Sequence, residues 1–580
     1  MRTAIADTTS RQDALAATSE GKSMKITRRD VLVWGAGATA GLVFTPVPWK
    51  LLSDISIWTQ NWRWIPQPTH RPVDVKGSFC TLCPNGCGIR VRMAAGWPVG
   101  VAGVRSHPIS RGALCPLGFA AHQLIWHPQR LRTVRHRGST SSWDEAHVAF
   151  AKACTEGPVV IVDGYPGHAA SSLFEAFAEK QRGSYRVVSG PEAQALTPYE
   201  TWSGVPAAAL GYDLENVRTI VSFGAPLLDG WGTPGQFTRL WAERAAGAAD
   251  PDLRLIQIEP SLSRTAARAW QRSAIHPGGE TALAAGIARV LLEEQLVQAR
   301  GPMPPLTLAQ SAEQSGLSTD AIRDLARLIV GRPPVVAIAS DDNPSIAALN
   351  VLLGAVGTRG GIVQKSKHAK SHLPAESELD SVRAVLIDSS VPWDFVPQTD
   401  AEVFRFAAWD GGSSKADWLL PAPGFLEERT DIPTAPTSAI ETYAIASSLV
   451  KAPPEVQSAA QFLGRVDPDL TPVDKIIHTR CEALFRARAG TLCAQETTPV
   501  AMIPSVEKLE EQLQSGAVWM GEPQHPGGLR CKLSEWPQAT RSECPPCNSL
   551  GTWRAPVLPP LASKLYQESS LREGPERRNP

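Results

Sequence analysis

The sequence predicts an α/β protein whose main body consists of doubly wound parallel sheets. One observation is that short apolar runs rich in β-branched residues recur between helical patterns. These runs are 159–162, 219–223, 253–258, 335–339 and 382–387. A second observation is the helical period of residues 281–296, which places Leu283, Ile287 and Leu291 on one stripe. Strands that alternate with helices predict parallel sheets, because a helix returns the chain across the sheet between parallel strands.

Length and composition exclude several classes of protein. The chain has 580 residues, of which 43% are hydrophobic and 20% charged, and this is globular composition. Its length predicts three or four domains and excludes a peptide hormone or a lone binding module. Lys plus Arg and Asp plus Glu are equal at 57 each, so no overall charge attracts nucleic acid or an acidic membrane.

The N-terminal segment has the pattern of a twin-arginine export signal. Paired Arg28 and Arg29 precede an uncharged run over residues 31–44. This route carries folded proteins, so we expect a periplasmic protein whose cofactor is inserted before export. The run is shorter than the ~20 residues of a spanning helix. Cleavage of the signal, its retention as a membrane anchor, and a true start at Met1 or Met24 all stay open.

Four cysteines are candidate ligands of an iron–sulfur cluster. Cys80, Cys83 and Cys87 lie in one short loop and Cys115 follows, which gives the spacing C-x2-C-x3-C-x27-C. Three clustered thiolates can bind three irons of a cubane while a distant thiolate binds the fourth. Zinc sites usually combine two CxxC or CxxH pairs. The spacing therefore favours a [4Fe–4S] cluster, with zinc and with disulfides or free thiols as the alternatives.

The charge around these cysteines supports the cluster. Residues 75–142 contain no Asp or Glu. A cluster held by four thiolates is a net anion that basic neighbours stabilise. A nucleic-acid patch is the alternative, and the expected export disfavours it. The basic residues of this segment are Lys76, Arg90, Arg92, Arg105, Arg111, Arg130, Arg132, Arg135 and Arg137.

The export signal, the cysteine spacing and several later motifs resemble the molybdopterin oxidoreductase superfamily, whose members have an N-terminal [4Fe–4S] domain. The later motifs are Arg130-Leu131, Trp143 to Ala146, Leu349-Asn350 with Gly360-Gly361, Ala416 to Ala422, and Phe425 to Glu427. The resemblance covers about residues 75–430. It implies a signal or anchor over 1–50, a [4Fe–4S] domain over 51–140, α/β lobes of the superfamily type over 141–430, and a reduced, Pro-rich C-terminal region over 431–580.

The resemblance also implies candidate residues for molybdopterin guanine dinucleotide. In the superfamily, loops beyond the carboxyl ends of parallel strands hold this cofactor. Gly224 and Gly278 would let backbone N–H groups approach phosphates, and Asp229, Glu259 and Glu280 would accept hydrogen bonds from guanine. Each glycine-rich loop alone is also consistent with a plain turn, and it is their order along the chain that supports the assignment.

Several departures from the superfamily pattern predict that the molybdenum site is lost or altered. Leu117 stands where active members have a Lys between cluster and pterin, and Leu donates no hydrogen bond. Residues 187–199, where the superfamily places a ligand of the metal, contain no Cys, and Ser189 and Glu192 are the candidate replacements. Residues 259–261 read Glu-Pro-Ser in place of Asp-Pro-Arg. These departures make molybdopterin binding doubtful.

Within the superfamily, residues 222–232 and 558–569 are most similar to the molybdopterin-like subunits of the periplasmic quinone reductase complex and alternative complex III. This similarity implies an electron-transfer subunit of a respiratory quinone oxidoreductase, without catalytic residues of its own. The implied partners are a ferredoxin-like iron–sulfur subunit, a polytopic quinone-binding membrane subunit and a multihaem cytochrome c. An active molybdenum or tungsten oxidoreductase for a small oxyanion or sulfur compound is the alternative. A structural subunit with a vestigial cluster is the third hypothesis.

The C-terminal region contains a further CxxC motif at Cys544 and Cys547. In an oxidising compartment we expect a structural disulfide that involves Cys531, Cys544 or Cys547. A redox pair, or half of a second metal site, is the alternative.

Overall fold

The structure is a computed structural model that describes residues 27–44, 73–187, 190–298, 301–365, 382–388, 395–397, 400–409, 416–522, 527–537 and 551–553. The chain forms two compact units, residues 1–72 and residues 73–580. Ser189, Cys544, Cys547 and residues 558–569 lie outside the described residues.

The first unit contains a helix, Arg28–Phe44, which includes the paired arginines and the uncharged run. Thr27 and Asp30 cap its start, since the Thr27 N–H donates to the Asp30 carboxylate at 2.8 Å and the Asp30 N–H donates to the Thr27 hydroxyl at 3.3 Å. Over the described part of the chain, we find no helix with the length and apolar character needed to cross a membrane.

The second unit begins with a three-stranded antiparallel sheet. Ile89, Val91 and Met93 point to its buried face, while Arg90 and Arg92 alternate with them on the exposed face. Two short helices follow, Pro116–Ala120 and the 3-10 helix Ala121–Trp126. The strands are Asp74–Phe79, Gly88–Ala94 and Trp97–Gly103.

A seven-stranded sheet forms the largest layer. Five of its strands are parallel, and two short strands at one edge are antiparallel. In spatial order the strands are Ser139–Thr140, Arg135–His136, Trp418–Pro421, Glu402–Ala407, Ala384–Asp388, Val159–Asp163 and Ser184–Val187. The helices whose buried residues share its core are Trp143–Glu156, Ala169–Lys180 and Ala459–Val466.

A four-stranded, wholly parallel sheet forms a second lobe, which the chain inserts between strands of the first sheet. In spatial order its strands are Gln271–Ala274, Arg254–Glu259, Thr219–Phe223 and Val335–Ala339. The associated helices are Pro234–Arg244, Arg264–Arg268, Glu280–Glu293, Leu308–Ser315, Thr319–Val330 and Pro344–Leu352. The predicted parallel α/β architecture is therefore confirmed, including the helix predicted over 281–296.

Asn350, part of the motif that resembles the superfamily, has a structural role in this lobe. Its side chain is fully buried. Its amide oxygen accepts the Ala337 N–H at 2.8 Å, and its amide nitrogen donates to the Ala337 carbonyl at 2.7 Å and to the Tyr199 hydroxyl at 2.8 Å. These bonds join helix Pro344–Leu352 to strand Val335–Ala339 and satisfy polar groups that would otherwise be buried unpaired.

The segment after Glu427 contains more structure than the sequence predicts. It forms a five-stranded antiparallel sheet with helices Val473–Ala487 and Val506–Gln514. Its strands have three to five residues, too few to show an alternating pattern. In spatial order they are Thr430–Ile432, Thr442–Ala446, Val518–Met520, Thr491–Cys493 and Thr497–Pro499.

The remaining elements are short. Two of the strand pairs are antiparallel ribbons, and the other elements are single helical turns or a little more. The ribbons are Leu210–Tyr212 with Ile362–Gln364 and Phe395–Pro397 with Gly551–Trp553, and the helices are Pro191–Gln194, Thr197–Ser203, Ala207–Ala209 and Val500–Met502.

Candidate iron–sulfur site

Three of the predicted ligands lie in the loop between the first two strands of the three-stranded sheet. We call residues 80–87 the cysteine loop. Its ends are tied together because the Cys80 N–H donates to the Cys87 carbonyl at 2.9 Å. Gly86 has a positive φ of 56°, and a Cβ there would clash with the Ile432 side chain, so this position needs glycine. The resulting tight curl brings three thiols into one place.

The fourth ligand reaches the same place from a different element. Cys115 is the N-cap of helix Pro116–Ala120, and its sulfur accepts the Gly118 N–H at 3.4 Å. A Cβ on Gly118 would lie 3.7 Å from the Cys80 sulfur and 3.9 Å from the Cys115 sulfur. The sulfurs of two predicted ligands that are distant in sequence, Cys80 and Cys115, therefore both lie near Gly118.

The electrostatics of the three thiols in the cysteine loop fit a cluster. Burial raises the pKa of Cys80 to about 12, and burial together with neighbouring thiols raises the pKa of Cys83 and Cys87 well above the usual range. Thiolates crowded into a buried place need a positive counter-charge, which the irons of a cubane supply. The Asn85 amide donates to the Cys87 sulfur at 2.9 Å, a contact that favours the thiolate.

The geometry also bears on the alternatives to a cluster. Among the described residues, no group of three or more His, Cys, Asp or Glu side chains is placed to hold a metal ion. Ligands of a single zinc ion converge on one point, whereas thiolates of a cubane bind separate irons. All four cysteines are free thiols in the structure.

Leu117 packs as an apolar residue beside the site. It is half-buried against the core that contains Cys80 and Cys87, and Leu114 and Trp409 are also partly buried against this core. The position therefore contributes packing and offers no hydrogen-bond donor towards a pterin.

Two motifs that are far apart in the sequence, Arg130-Leu131 and Phe425 to Glu427, meet in a buried ion pair. The Arg130 guanidinium binds the Glu427 carboxylate, and the two side chains are only 3% and 2% exposed. Arg130 also donates to the carbonyls of Ala408 and Ala422, each at 2.8 Å, and Glu427 accepts the Gly424 N–H at 2.7 Å. This network fastens the iron–sulfur domain to the carboxyl edge of the seven-stranded sheet.

The predicted pterin residues of the first two loops lie at the carboxyl edge of the four-stranded sheet. Gly224 follows strand Thr219–Phe223 with a positive φ of 71°. Asp229 forms an ion pair with Arg264 at 2.9 Å. Glu259 is buried and accepts hydrogen bonds from the Gln257 amide and the Ser263 N–H, each at 2.8 Å. Both carboxylates therefore already have partners within their own lobe.

The remaining two pterin candidates follow strand Gln271–Ala274. Gly278 has a positive φ of 78°, with open space where a Cβ would stand. Glu280 is half-buried and begins helix Glu280–Glu293. The structure thus brings all five candidates to one edge of the lobe, and their role in pterin binding stays a prediction.

Glu192 is the described candidate replacement for the metal ligand. It lies in helix Pro191–Gln194, is 3% exposed, and has a carboxylate oxygen without a hydrogen-bond partner among the described residues. Burial raises its pKa to about 7. The charge of Glu192 also contributes to the raised pKa of Cys83, which places this carboxyl near the cysteine loop.

A cavity of ≈ 100 Å³, which we call the loop cavity, lies beside the cysteine loop. The sequence does not predict this cavity. Thr81 and Leu82 contribute to its lining, together with Tyr165, His168 and Glu428. The only available signal was the position of Tyr165 and His168 just after a predicted strand, where polar groups of α/β proteins commonly collect.

Comparison with known proteins agrees with this geometry. Residues 74–127 match the molybdopterin oxidoreductase Fe4S4 domain. The chain is 30% identical over 365 residues to the menaquinone reductase molybdopterin-binding-like subunit of Nitratidesulfovibrio vulgaris, covering 58% of this chain and 52% of that protein. It is 23% identical over 378 residues to the thiosulfate reductase molybdopterin-containing subunit of Salmonella typhimurium, covering 58% and 48%. The chain spans about half the length of these curated relatives.

A solved structure shows the same fold at low sequence identity. Acetylene hydratase from Pelobacter acetylenicus superposes with a TM-score of 0.57 and 13% identity, covering 85% of this chain and 81% of that one. At this identity the similarity concerns the fold alone.

Proposed function

We propose that this chain, whose residues 74–127 match the molybdopterin oxidoreductase Fe4S4 domain, is the electron-transfer subunit of a membrane-associated respiratory quinone oxidoreductase. The observation that carries the proposal is the complete set of four cysteines beside an apolar Leu117. Cys80, Cys83, Cys87 and Cys115 would hold a [4Fe–4S] cluster, which accepts and releases one electron at a time. The buried loop shields it from water.

The proposed location is the periplasmic side of a membrane, reached by the twin-arginine route. The paired arginines at the start of helix Arg28–Phe44 support this route. The similarity to a menaquinone reductase subunit supports a quinone-linked complex. A polytopic quinone-binding subunit and a multihaem cytochrome c are the proposed neighbours in that complex.

An exposed aromatic patch marks the proposed docking place of the ferredoxin-like subunit. The patch consists of Trp97, Phe119 and Trp126, which are 36%, 63% and 54% exposed. The rings of Trp97 and Trp126 are 4.6 Å apart, and the three elements that carry the patch pack against one another. Phe119 directly follows Gly118, whose N–H donates to the Cys115 sulfur at 3.4 Å. A partner bound here would have its redox centre close to the cluster.

The charge of the sequence segment that carries this patch favours one kind of partner. Exposed basic side chains lie in the same acid-free segment. They favour association with a protein whose redox centre is surrounded by acidic residues. Large exposed aromatic groups with a charged rim are typical of protein interaction sites. The exposed basic residues include Arg90, Arg92, Arg105 and Arg111.

An active molybdenum or tungsten enzyme for a small oxyanion or sulfur compound is the second candidate. Glu192 favours it, because this buried, incompletely bonded carboxyl lies in the segment where the superfamily has the metal ligand. The similarity to a thiosulfate reductase subunit also supports a sulfur compound.

Metal analysis of the anaerobically purified protein separates the two candidates. We expect about four irons per chain, no molybdenum or tungsten, and no pterin fluorescence after acid release. This result follows from an intact cysteine set combined with an altered pterin environment. One molybdenum or tungsten per chain with released pterin would contradict the proposal and favour the enzyme.

Replacing Phe119 by Glu tests the docking patch. A carboxylate on the patch removes apolar contact and repels an acidic partner, so we expect electron transfer from a reduced plant-type [2Fe–2S] ferredoxin to slow about tenfold at low salt. Stopped-flow absorbance measures the rate. The matched control is Met502→Glu, which also places a carboxylate on an exposed apolar position outside the iron–sulfur domain. Equal rates for the two variants would refute the docking assignment.

A further inference from the structure

The loop cavity connects the iron–sulfur domain with the carboxyl edge of the seven-stranded sheet. Thr81 and Leu82, which separate the ligands Cys80 and Cys83, contribute to its lining. Residues that follow the parallel strands supply other parts of the lining. The volume of ≈ 100 Å³ has room for several water molecules.

Two buried polar atoms on this lining have no protein partner among the described residues. They are the Tyr165 hydroxyl and Nε2 of His168, and these side chains are 5% and 8% exposed. The two rings meet edge to face at 3.7 Å, and Nδ1 of His168 contacts the Thr430 hydroxyl at 3.0 Å. Buried polar atoms require hydrogen bonds, and the volume beside these two allows water to provide them.

The acidic groups of the loop cavity differ in their surroundings. Asp163 accepts hydrogen bonds from the Tyr165 N–H at 2.8 Å, the Ser171 hydroxyl at 2.6 Å and the Tyr185 hydroxyl at 2.8 Å. Burial raises the pKa of Glu428 to about 7, opposed by a hydrogen bond from Ser458. Glu428 therefore changes protonation near neutral pH.

We propose that the loop cavity binds a proton when the cluster accepts an electron, with Glu428 as the proton acceptor and Tyr165 and His168 as the polar path. The redox partner would supply one electron to the cluster and would itself be oxidised. One proton moves from solvent to a Glu428 carboxylate oxygen, where an O–H bond forms. An added negative charge beside a low-dielectric cavity favours the protonated carboxyl, and this is the physical basis of the coupling.

Several charged and titratable groups surround Glu428. Arg429 is already paired with Asp474 and with Glu510, the latter at 2.6 Å. Burial lowers the pKa of His168, which keeps its ring neutral at pH 7. Asp474 raises the pKa of Glu428 further through its charge. The remaining acidic groups on the cavity lining are Asp163 and Asp388.

The test is a potentiometric titration of the anaerobic full-length holoprotein, followed by electron paramagnetic resonance at pH 6, 7 and 8. We expect the midpoint potential of the cluster to shift downward as the pH rises, and this shift to disappear in Glu428→Gln. The control is Glu402→Gln, which changes a carboxyl at the amino end of a strand of the same sheet and retains the shift. A second measurement, with a pH indicator, is expected to show proton uptake on reduction with dithionite at pH 7.

A further variant keeps the proposal testable if Glu428→Gln does not fold. Ser458→Ala removes the hydrogen bond that lowers the pKa of Glu428, so the pH range over which the potential falls is expected to move upward. A potential that is independent of pH in the native protein, or a shift retained in Glu428→Gln, would overturn the inference. The inference rests on the cluster of the proposed function. A reversible but pH-independent cluster would leave electron transfer intact, whereas absence of any cluster signal would refute both.

Discussion

Replacing Cys83 by Ala is expected to reduce the iron content from about four per chain to below one and to abolish the cluster's electron paramagnetic resonance signal. Cys83 stands between Cys80 and Cys87 in the cysteine loop, so its loss leaves one corner of the cubane without a ligand. Because binding of a metal group also stabilises the folded domain, we further expect a lower unfolding midpoint in urea. Iron analysis, spectroscopy and urea unfolding under anaerobic conditions measure the three effects.

Cys154→Ala is the matched control for this variant. Cys154 is also a half-buried free thiol, but it lies in helix Trp143–Glu156, away from the cysteine loop. We expect it to retain about four irons and the cluster signal. If Cys83→Ala keeps the full iron content, the assignment of the ligands is wrong. If it loses the iron yet unfolds and assembles like the native protein, the third hypothesis, a vestigial cluster in a structural subunit, is favoured.

Replacing Arg130 by Met is expected to lower the free energy of unfolding by about 3–5 kcal/mol. The substitution leaves the Glu427 carboxylate buried without its counter-charge, and the carbonyls of Ala408 and Ala422 lose a donor. Urea unfolding followed by circular dichroism measures the difference. Because the iron–sulfur domain is fastened through this pair, the cluster absorbance is expected to be lost at a lower urea concentration as well.

Arg137→Met provides the comparison, since Arg137 pairs with Asp417 at 3.1 Å with its side chain 69% exposed. An exposed pair of this kind contributes at most about 1 kcal/mol. The double variant Arg130→Met with Glu427→Leu removes both buried charges and is expected to recover much of the loss. Equal destabilisation by Arg130→Met and Arg137→Met would show that burial does not determine the contribution of the Arg130 pair.

The sequence predicts the parts of this structure that depend on local patterns. Strands Thr219–Phe223 and Val335–Ala339 are found at the predicted residues because buried parallel strands are continuous apolar runs. The cysteine loop is recognisable for the same local reason, since three candidate ligands lie within a few residues of one another. Cys115 is a candidate from the spacing of the four cysteines, and the role of all four as ligands stays a prediction.

Other features depend on contacts that no local pattern contains. Arg130 and Glu427 are 297 positions apart, so their pairing is a result of the fold. The hydrogen bonds of Asp229 and Glu259 within their own lobe could likewise not be inferred from a glycine-rich loop. The loop cavity is lined by segments that are far apart in the sequence, so no single segment predicts the cavity.

The insertion of one lobe into the other determines when the protein can finish folding during synthesis. Strand Val159–Asp163 pairs with Ala384–Asp388, which is roughly 220 residues later in the chain. This pairing has to wait until the later strand has been synthesised. At a ribosomal rate of about 5–20 residues per second, this wait lasts roughly 11–44 s. The partner of Arg130 is made later still. The cysteine loop is therefore translated long before its supporting contacts exist, and we expect stable insertion of iron to follow the synthesis of those later segments.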